Sequence, residues 1–174
     1  MTNTTKFERG DAVVHPVHGA GVVDSIEERQ WRGNNEVYYN IKLLYPPASK
    51  LMIPASTANK TGLRHATSKS ELKKVWRVLR ADPKTLPADH KERYAALKDK
   101  LHTGDVTRIA EVVRDMVWRQ RQEGRLTTVG KQMYDDGVML LAGEIAVVRG
   151  VNLSDAEAEV RTILRESLPS SEAS

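Results

Sequence analysis

Little in this chain is equipped for covalent chemistry. His15 and His18 stand three apart around Pro16, close enough in sequence to raise the question of a metal. They fall in a turn and no neighbouring group completes a ligand set, so no metal site is expected. None of the 174 residues is cysteine, which removes disulfides, thiolate ligands and thiolate nucleophiles. No Gly-rich phosphate loop passes from a strand into a helix, and no nucleophile elbow is visible. Gly19-Ala20-Gly21 sits inside a strand pattern, where glycine permits a bend or a close backbone approach. No catalytic residue, cofactor or enzymatic activity is therefore expected. The chemistry that remains is ionic. Residues 65–124 carry 14 basic and 9 acidic side chains, against 8 and 6 in residues 1–64 and 5 and 8 in residues 125–174. A basic middle beside an acidic tail fits a polyanion held at the centre of the chain.

The elements that must hold those charges follow from the hydrophobic periods. Between residues 7 and 64, Asp11–His15, Gly19–Arg29, Glu36–Leu44 and Leu51–Pro54 are rich in Val, Ile and Tyr and are separated by turn residues. Arg32-Gly33-Asn34-Asn35 is expected to turn a hairpin, with Gly and Asn supplying the positive φ. Pro46-Pro47 marks the next loop. About four or five short strands in this space suit a small twisted barrel of the SH3 or Tudor kind. From Ser68 the period becomes helical. Ser68-Lys69-Ser70-Glu71 fits a capping box, ahead of an apolar face of Leu72, Val75, Trp76 and Leu79. Pro83 and Pro87 interrupt the chain and make a connector near residues 81–88. A helix restarts near Asp89, with Tyr94, Leu97 and Leu101 on its buried side.

The central helix is predicted between Gly104 and Gly124, with Asp105 as its cap. Val106, Ile109, Val113, Met116 and Val117 form its apolar stripe, and Arg108, Glu111, Arg114, Asp115, Trp118 and Arg119 its other face. Leu126-Thr127 opens the next helix, through Val138, Leu141, Ile145 and Val148 to Gly150. Ser154-Asp155-Ala156-Glu157 reads as a second capping box, starting a last helix through Val160, Ile163 and Leu164, and residues 169–174 as a frayed polar tail. The expected fold class is α+β: a small β-barrel over residues 1–65, then an α-helical bundle over residues 66–174. No apolar run approaches the roughly 20 residues of a membrane span, and the N-terminus has no signal-peptide core. A soluble, cytoplasmic monomer without membrane contact is expected.

Several of these stretches, in unbroken order, resemble the CarD/CdnL family of bacterial transcription regulators. FERGDAVVHPVHGAGVV stands in place of that family's G-D-x-V-V-[YH]-P-x-H-G pattern, and KLMIP follows at Lys50–Pro54. Glu92-Arg93-Tyr94, the Gly104-Asp105-Val106 helix start, Ala110-Glu111-Val112-Val113-Arg114-Asp115, and Leu126-Thr127 with Lys131, Met133 and Glu144 continue the match. The resemblance covers about residues 7–165. It implies an N-terminal domain similar to the polymerase-interacting domain of transcription-repair coupling factors, which binds the β subunit of bacterial RNA polymerase. It also implies a C-terminal helical domain resting on promoter DNA near the upstream edge of the transcription bubble. There a tryptophan wedges into the minor groove and basic residues hold phosphates, which stabilises the open complex.

Carried over position by position, the resemblance implies polymerase contact at Arg29, and at Met52, where some members have a second arginine. The wedge position, four residues before Tyr94, holds His90. Imidazole is smaller and more polar than indole, and near a helix start it suits a phosphate or a minor-groove acceptor. Arg93 and Lys131 match basic positions of the DNA-facing surface, whereas Ala95 falls where some members have a cation. Lys91, Arg108, Arg114 and Arg119 complete the candidate DNA-contacting set, although Arg108 with Glu111 and Arg114 with Asp115 are also candidates for internal ion pairs. Trp118 lies off the apolar stripe, suited to packing between helices or to replacing the wedge. The rival reading is a protein–protein adaptor on polymerase with no DNA role. Exposure of His90, Arg93 and Lys131 favours the DNA reading; their burial favours the adaptor. A barrel that binds nucleic acid alone is disfavoured by the few aromatics expected on its surface.

Overall fold

Residues 6–167 are described in the computed structural model, so the tail expected over residues 169–174 lies outside the described residues. Period-two alternation builds the first half. β1 (Ala12–His15), β2 (Gly19–Trp31), β3 (Asn34–Leu43), β4 (Lys50–Pro54) and β5 (Arg64–His65) form one antiparallel sheet in the order β4-β3-β2-β1-β5. Val13, Val23, Tyr39, Ile41 and Ile53 turn to one side and close a core with Phe7, Ala58 and Leu63. The expected closed barrel is not formed. β4 and β5 stay at opposite edges, because a strand of two residues cannot offer β4 a ladder. The segment between them instead places Ala58 and Leu63 in the core.

The hairpin turn is tighter than expected. Arg32 (φ 50°) and Gly33 (φ 82°) both take positive φ, the two-residue pattern whose twist matches that of the flanking strands. Asn34 and Asn35 already pair with Trp31 and Gln30 in the ladder, so an arginine and not an asparagine occupies the left-handed position. Gly21 is a site of close approach: a Cβ there would stand 2.6 Å from the Lys42 carbonyl oxygen.

Five helices follow: α1 (Lys69–Arg80), α2 (His90–Leu101), α3 (Val106–Glu123), α4 (Thr128–Arg149) and α5 (Leu153–Ser167). Ser68, Asp89, Asp105 and Thr127 cap the first four, each accepting a first-turn N–H through its side-chain oxygen. The capping box at α1 is half formed: Ser68 Oγ accepts from the Glu71 N–H, but the Glu71 carboxylate turns to Lys74 Nζ. Ser154–Glu157 does not cap α5. That helix begins at Leu153, and the Ala156 N–H donates to the Asn152 carbonyl, because α4 ends abruptly at left-handed Gly150 and the next helix starts within a few residues.

The helical core gathers on α3, whose predicted stripe is buried together with Ala110 and Val112. α4 joins the two halves. Gly143 faces Ala20 of β2 closely enough that an added Cβ would lie 3.4 Å from the alanine Cβ. Arg64 of β5 reaches the same helix with a bidentate pair to Glu144, Nη1 to Oε1 at 2.7 Å and Nη2 to Oε2 at 2.9 Å. Glu144 Oε1 also accepts the Thr67 N–H, and Arg64 Nε donates to the Gly104 carbonyl. One buried carboxylate thus ties the sheet, the link to α1 and the start of α3 to α4.

Candidate nucleic-acid interface

Register decides where the sheet's two candidate residues fall. Residues paired across an antiparallel ladder share a face. Arg29 pairs with Glu36, and Met52 pairs with Asn40. Glu36 and Asn40 lie four residues apart on β3, so Arg29 and Met52 share the outer face, roughly 14 Å apart along the strand direction. Arg29 is exposed and pairs with Glu27 at 3.2 Å; an ion pair this open is worth little and leaves the guanidinium available. Met52 is 42% exposed.

The helical candidates divide into three groups. His90 and Lys91 are exposed in the first turn of α2, beside the carboxylate that caps it. Asp89 caps that turn, and hydrogen bonds from the Glu92 and Lys91 N–H groups, with smaller help from the His90 and Arg93 charges, hold its carboxyl below the usual carboxylate range. Lys131 is exposed near the start of α4. Arg119, near the end of α3, is partly exposed and only loosely paired, at 4.0 Å from Glu123. α2 runs back along α3, since Lys100 near its end binds Glu111 near the start of α3. His90, Lys91 and Arg119 therefore gather toward one end.

Arg108 sits eleven residues before Arg119, roughly 16 Å away along the axis, and is drawn into a pair with Glu111 that Lys100 shares. Burial raises the Glu111 carboxyl, but the bond from Lys100 and the neighbouring cations outweigh it and keep the group ionised.

Arg93 and Arg114 correct the expectation of a surface of exposed cations: they are 6% and 4% exposed. Arg114 lies flat against its neighbour, Nε to Asp115 Oδ1 at 2.8 Å, and donates through Nη1 to the Val78 carbonyl. Asp115 Oδ1 also accepts the Lys84 N–H, so the pair fixes the connector between α1 and α2. Adjacent residues pair here because the buried face of α3 is wider than its stripe of five, and an isolated charge inside it would be costly. Arg93 falls in line with Leu97 and Leu101, which turns it inward. Its Nη1 donates to the Pro87 and Ala88 carbonyls, and its guanidinium lies over the Tyr94 ring. Tyr94 in turn hydrogen-bonds Thr127. Trp118 is partly buried and packs against the helical core, the first of its two expected placements.

These contacts frame a groove of about 630 Å³ between α2, the end of α3 and the start of α4, lined by Arg93, Tyr94, Arg119, Arg125 and Thr127 among others. Arg125 escaped the sequence reading. Its signal was a cation in the short link between the Gly124 stop and the Thr127 cap.

His15 also has its role settled by geometry. Its Nδ1 accepts the Val17 and His18 N–H groups, both at 3.1 Å, so the His-Pro-Val-His segment is a turn held by a neutral imidazole.

Comparison with known proteins gives two matches that tile the chain. Residues 7–67 match the CarD-like/TRCF RID domain, and residues 74–161 match the CarD C-terminal domain. YdeB of Bacillus subtilis (strain 168), whose name assigns it provisionally to the transcription factors, is 32% identical over 145 residues, covering 83% of this chain and 94% of that protein.

Proposed function

The chain belongs to the CarD/CdnL family of transcription regulators, and from that premise we propose that it binds the β subunit of bacterial RNA polymerase through its sheet and stabilises the promoter open complex through its helices. Arg29 and Met52 on the outer sheet face are the polymerase contacts in this reading. His90, Lys91, Arg119 and Lys131 are the DNA contacts at the upstream edge of the bubble. The observation that carries the DNA half is the exposure of His90 and Lys91 together in the first turn of α2. With imidazole at the wedge position, the contact is more polar than a tryptophan wedge: it bonds phosphates or minor-groove acceptors and resists closure less by volume. Docking on polymerase raises the local concentration of a weak DNA binder, so few phosphate contacts suffice. The role is non-enzymatic, and a cytoplasmic place on the nucleoid follows from the polymerase.

The adaptor reading draws on the burial of Arg93 and Arg114, which removes two cations from the surface. The two are separated by measuring binding of the full chain to polymerase and to fork-junction promoter DNA. Arg29→Glu is expected to weaken polymerase binding alone, and Lys91→Ala with Lys131→Ala to weaken DNA binding alone. Polymerase binding without any DNA affinity would leave the adaptor.

A further inference from the structure

Residues 81–88 carry neither helix nor strand, and Pro83 and Pro87 bring no N–H to a ladder. Yet this connector sets where α2 begins, and with it where His90 and Lys91 stand. Buried charged side chains hold it. Arg114 Nη1 donates to the Val78 carbonyl in the last turn of α1, and Asp115 Oδ1 accepts the Lys84 N–H at 2.9 Å. Arg93 Nη1 donates to the Pro87 and Ala88 carbonyls at 3.0 and 3.1 Å. Leu86 adds an apolar contact with the helical core.

From Arg93 the contacts run on to the exposed residues. Its guanidinium lies 5.4 Å from the centre of the Tyr94 ring, and the His90 ring stands edge-on to the same tyrosine at 6.3 Å. The Tyr94 hydroxyl bonds the Thr127 hydroxyl, and the Thr127 carbonyl accepts the Lys131 N–H. One buried side chain thus touches both the connector and the tyrosine that spaces His90 from Lys131. Arg93 needs no outside anion in that place. Asp89 in the same turn keeps its negative charge, chiefly through the bond from the Glu92 N–H, and is near enough for the two charges to act on each other. Set against apolar side chains of equal volume, a buried pair such as Arg114–Asp115 is a weak source of stability; what it imposes is a path for the connector. Resting on the promoter reading above, we propose that Arg93, Arg114 and Asp115 are positioning residues for the DNA contact. They touch no nucleic acid themselves, and they hold the connector and Tyr94 so that His90 and Lys91 are presented in one fixed arrangement beside Lys131.

Asp115→Asn separates positioning from charge, because the two predict opposite signs. Removing a negative charge tightens DNA binding if charge alone matters; a loosened connector weakens it. The full chain is titrated with fork-junction promoter DNA and with polymerase, and backbone hydrogen exchange is read at the Lys84 amide. Asp115→Asn is expected to weaken DNA binding and to speed Lys84 exchange about tenfold, since the charge of the accepting carboxylate is lost. Arg93→Met, which fills space without a donor, is expected to weaken DNA binding as well, with Arg93→Lys between it and the wild type. Both losses should largely vanish in a chain already carrying His90→Ala and Lys91→Ala, because a positioning residue acts only through the groups it positions. Polymerase binding should be unchanged throughout and reports that each variant has folded; if Arg93→Met loses it, Arg93→Lys and Asp115→Asn carry the comparison. Tighter DNA binding by Asp115→Asn, equal losses in both backgrounds, or a Lys84 amide that exchanges freely in the wild type overturns the positioning role. In any of those cases, weakening of DNA binding by Lys91→Ala with Lys131→Ala leaves the promoter reading standing. A wild-type chain without DNA affinity removes the promoter reading and the positioning role with it.

Discussion

Glu144 shows how a single carboxylate becomes structural. It is fully buried, takes both Arg64 nitrogens and accepts the Thr67 N–H. Glu144→Ala would leave the Arg64 charge partly buried and the Thr67 amide unpaired, so a loss of about 3 kcal/mol is expected, at the low end for a broken buried pair because Arg64 is 30% exposed. Urea unfolding measures it, and a loss under about 0.5 kcal/mol would place the tie between sheet and helices elsewhere. His15 carries a pH dependence. Burial, then the charge of His18, holds its pKa below the ordinary 6.5, and protonating Nδ1 breaks two backbone hydrogen bonds. The folded chain therefore binds fewer protons than the unfolded chain below pH 6.5, and stability falls as pH drops through that window. Melting temperature should decline from about pH 7.5 to 5.5, and His15→Ala should flatten the decline. A decline that persists unchanged in the variant would assign it to another group.

At the scale of elements, what was legible was local. Asp89, Asp105 and Thr127 announce their helices because a cap needs only its own first turn. Four of the five strands were legible within a residue or two for the same reason, since alternation is written in neighbouring positions; β5, two residues long, was not. Barrel closure was not, since it depends on whether β5 is long enough to meet β4. The inward turn of Arg93 was hidden because its line with Leu97 and Leu101 reads equally well as Tyr94, Leu97 and Leu101. The Gly19-Ala20-Gly21 stretch read as a bend or a close approach, and Gly21 is the latter. Gly21→Ala would put a Cβ 2.6 Å from the Lys42 carbonyl oxygen and 2.8 Å from Ile41 Cγ2. Parting β2 from β3 there is expected to cost about 1–3 kcal/mol. An alanine variant as stable as the wild type by thermal unfolding would show that the ladder yields without strain.

In the whole molecule, the outer sheet face and the α2 end of the helical bundle are held to one another through α4, by the Gly143–Ala20 contact and the Arg64–Glu144 pair. That union gives the tethering argument its force, because an address on polymerase is useful only if it fixes where the DNA-facing end lands. Family membership points to the transcription machinery; in the proposed reading, the exposed His90 and Lys91 are where promoter DNA meets the chain. The most direct test of that account is the lifetime of the open complex on one promoter with the cognate polymerase, comparing no protein, the wild-type chain and His90→Ala. A longer lifetime with the wild type, shortened by His90→Ala, is the predicted result. An unchanged lifetime in the presence of a chain confirmed to bind polymerase would contradict promoter stabilisation.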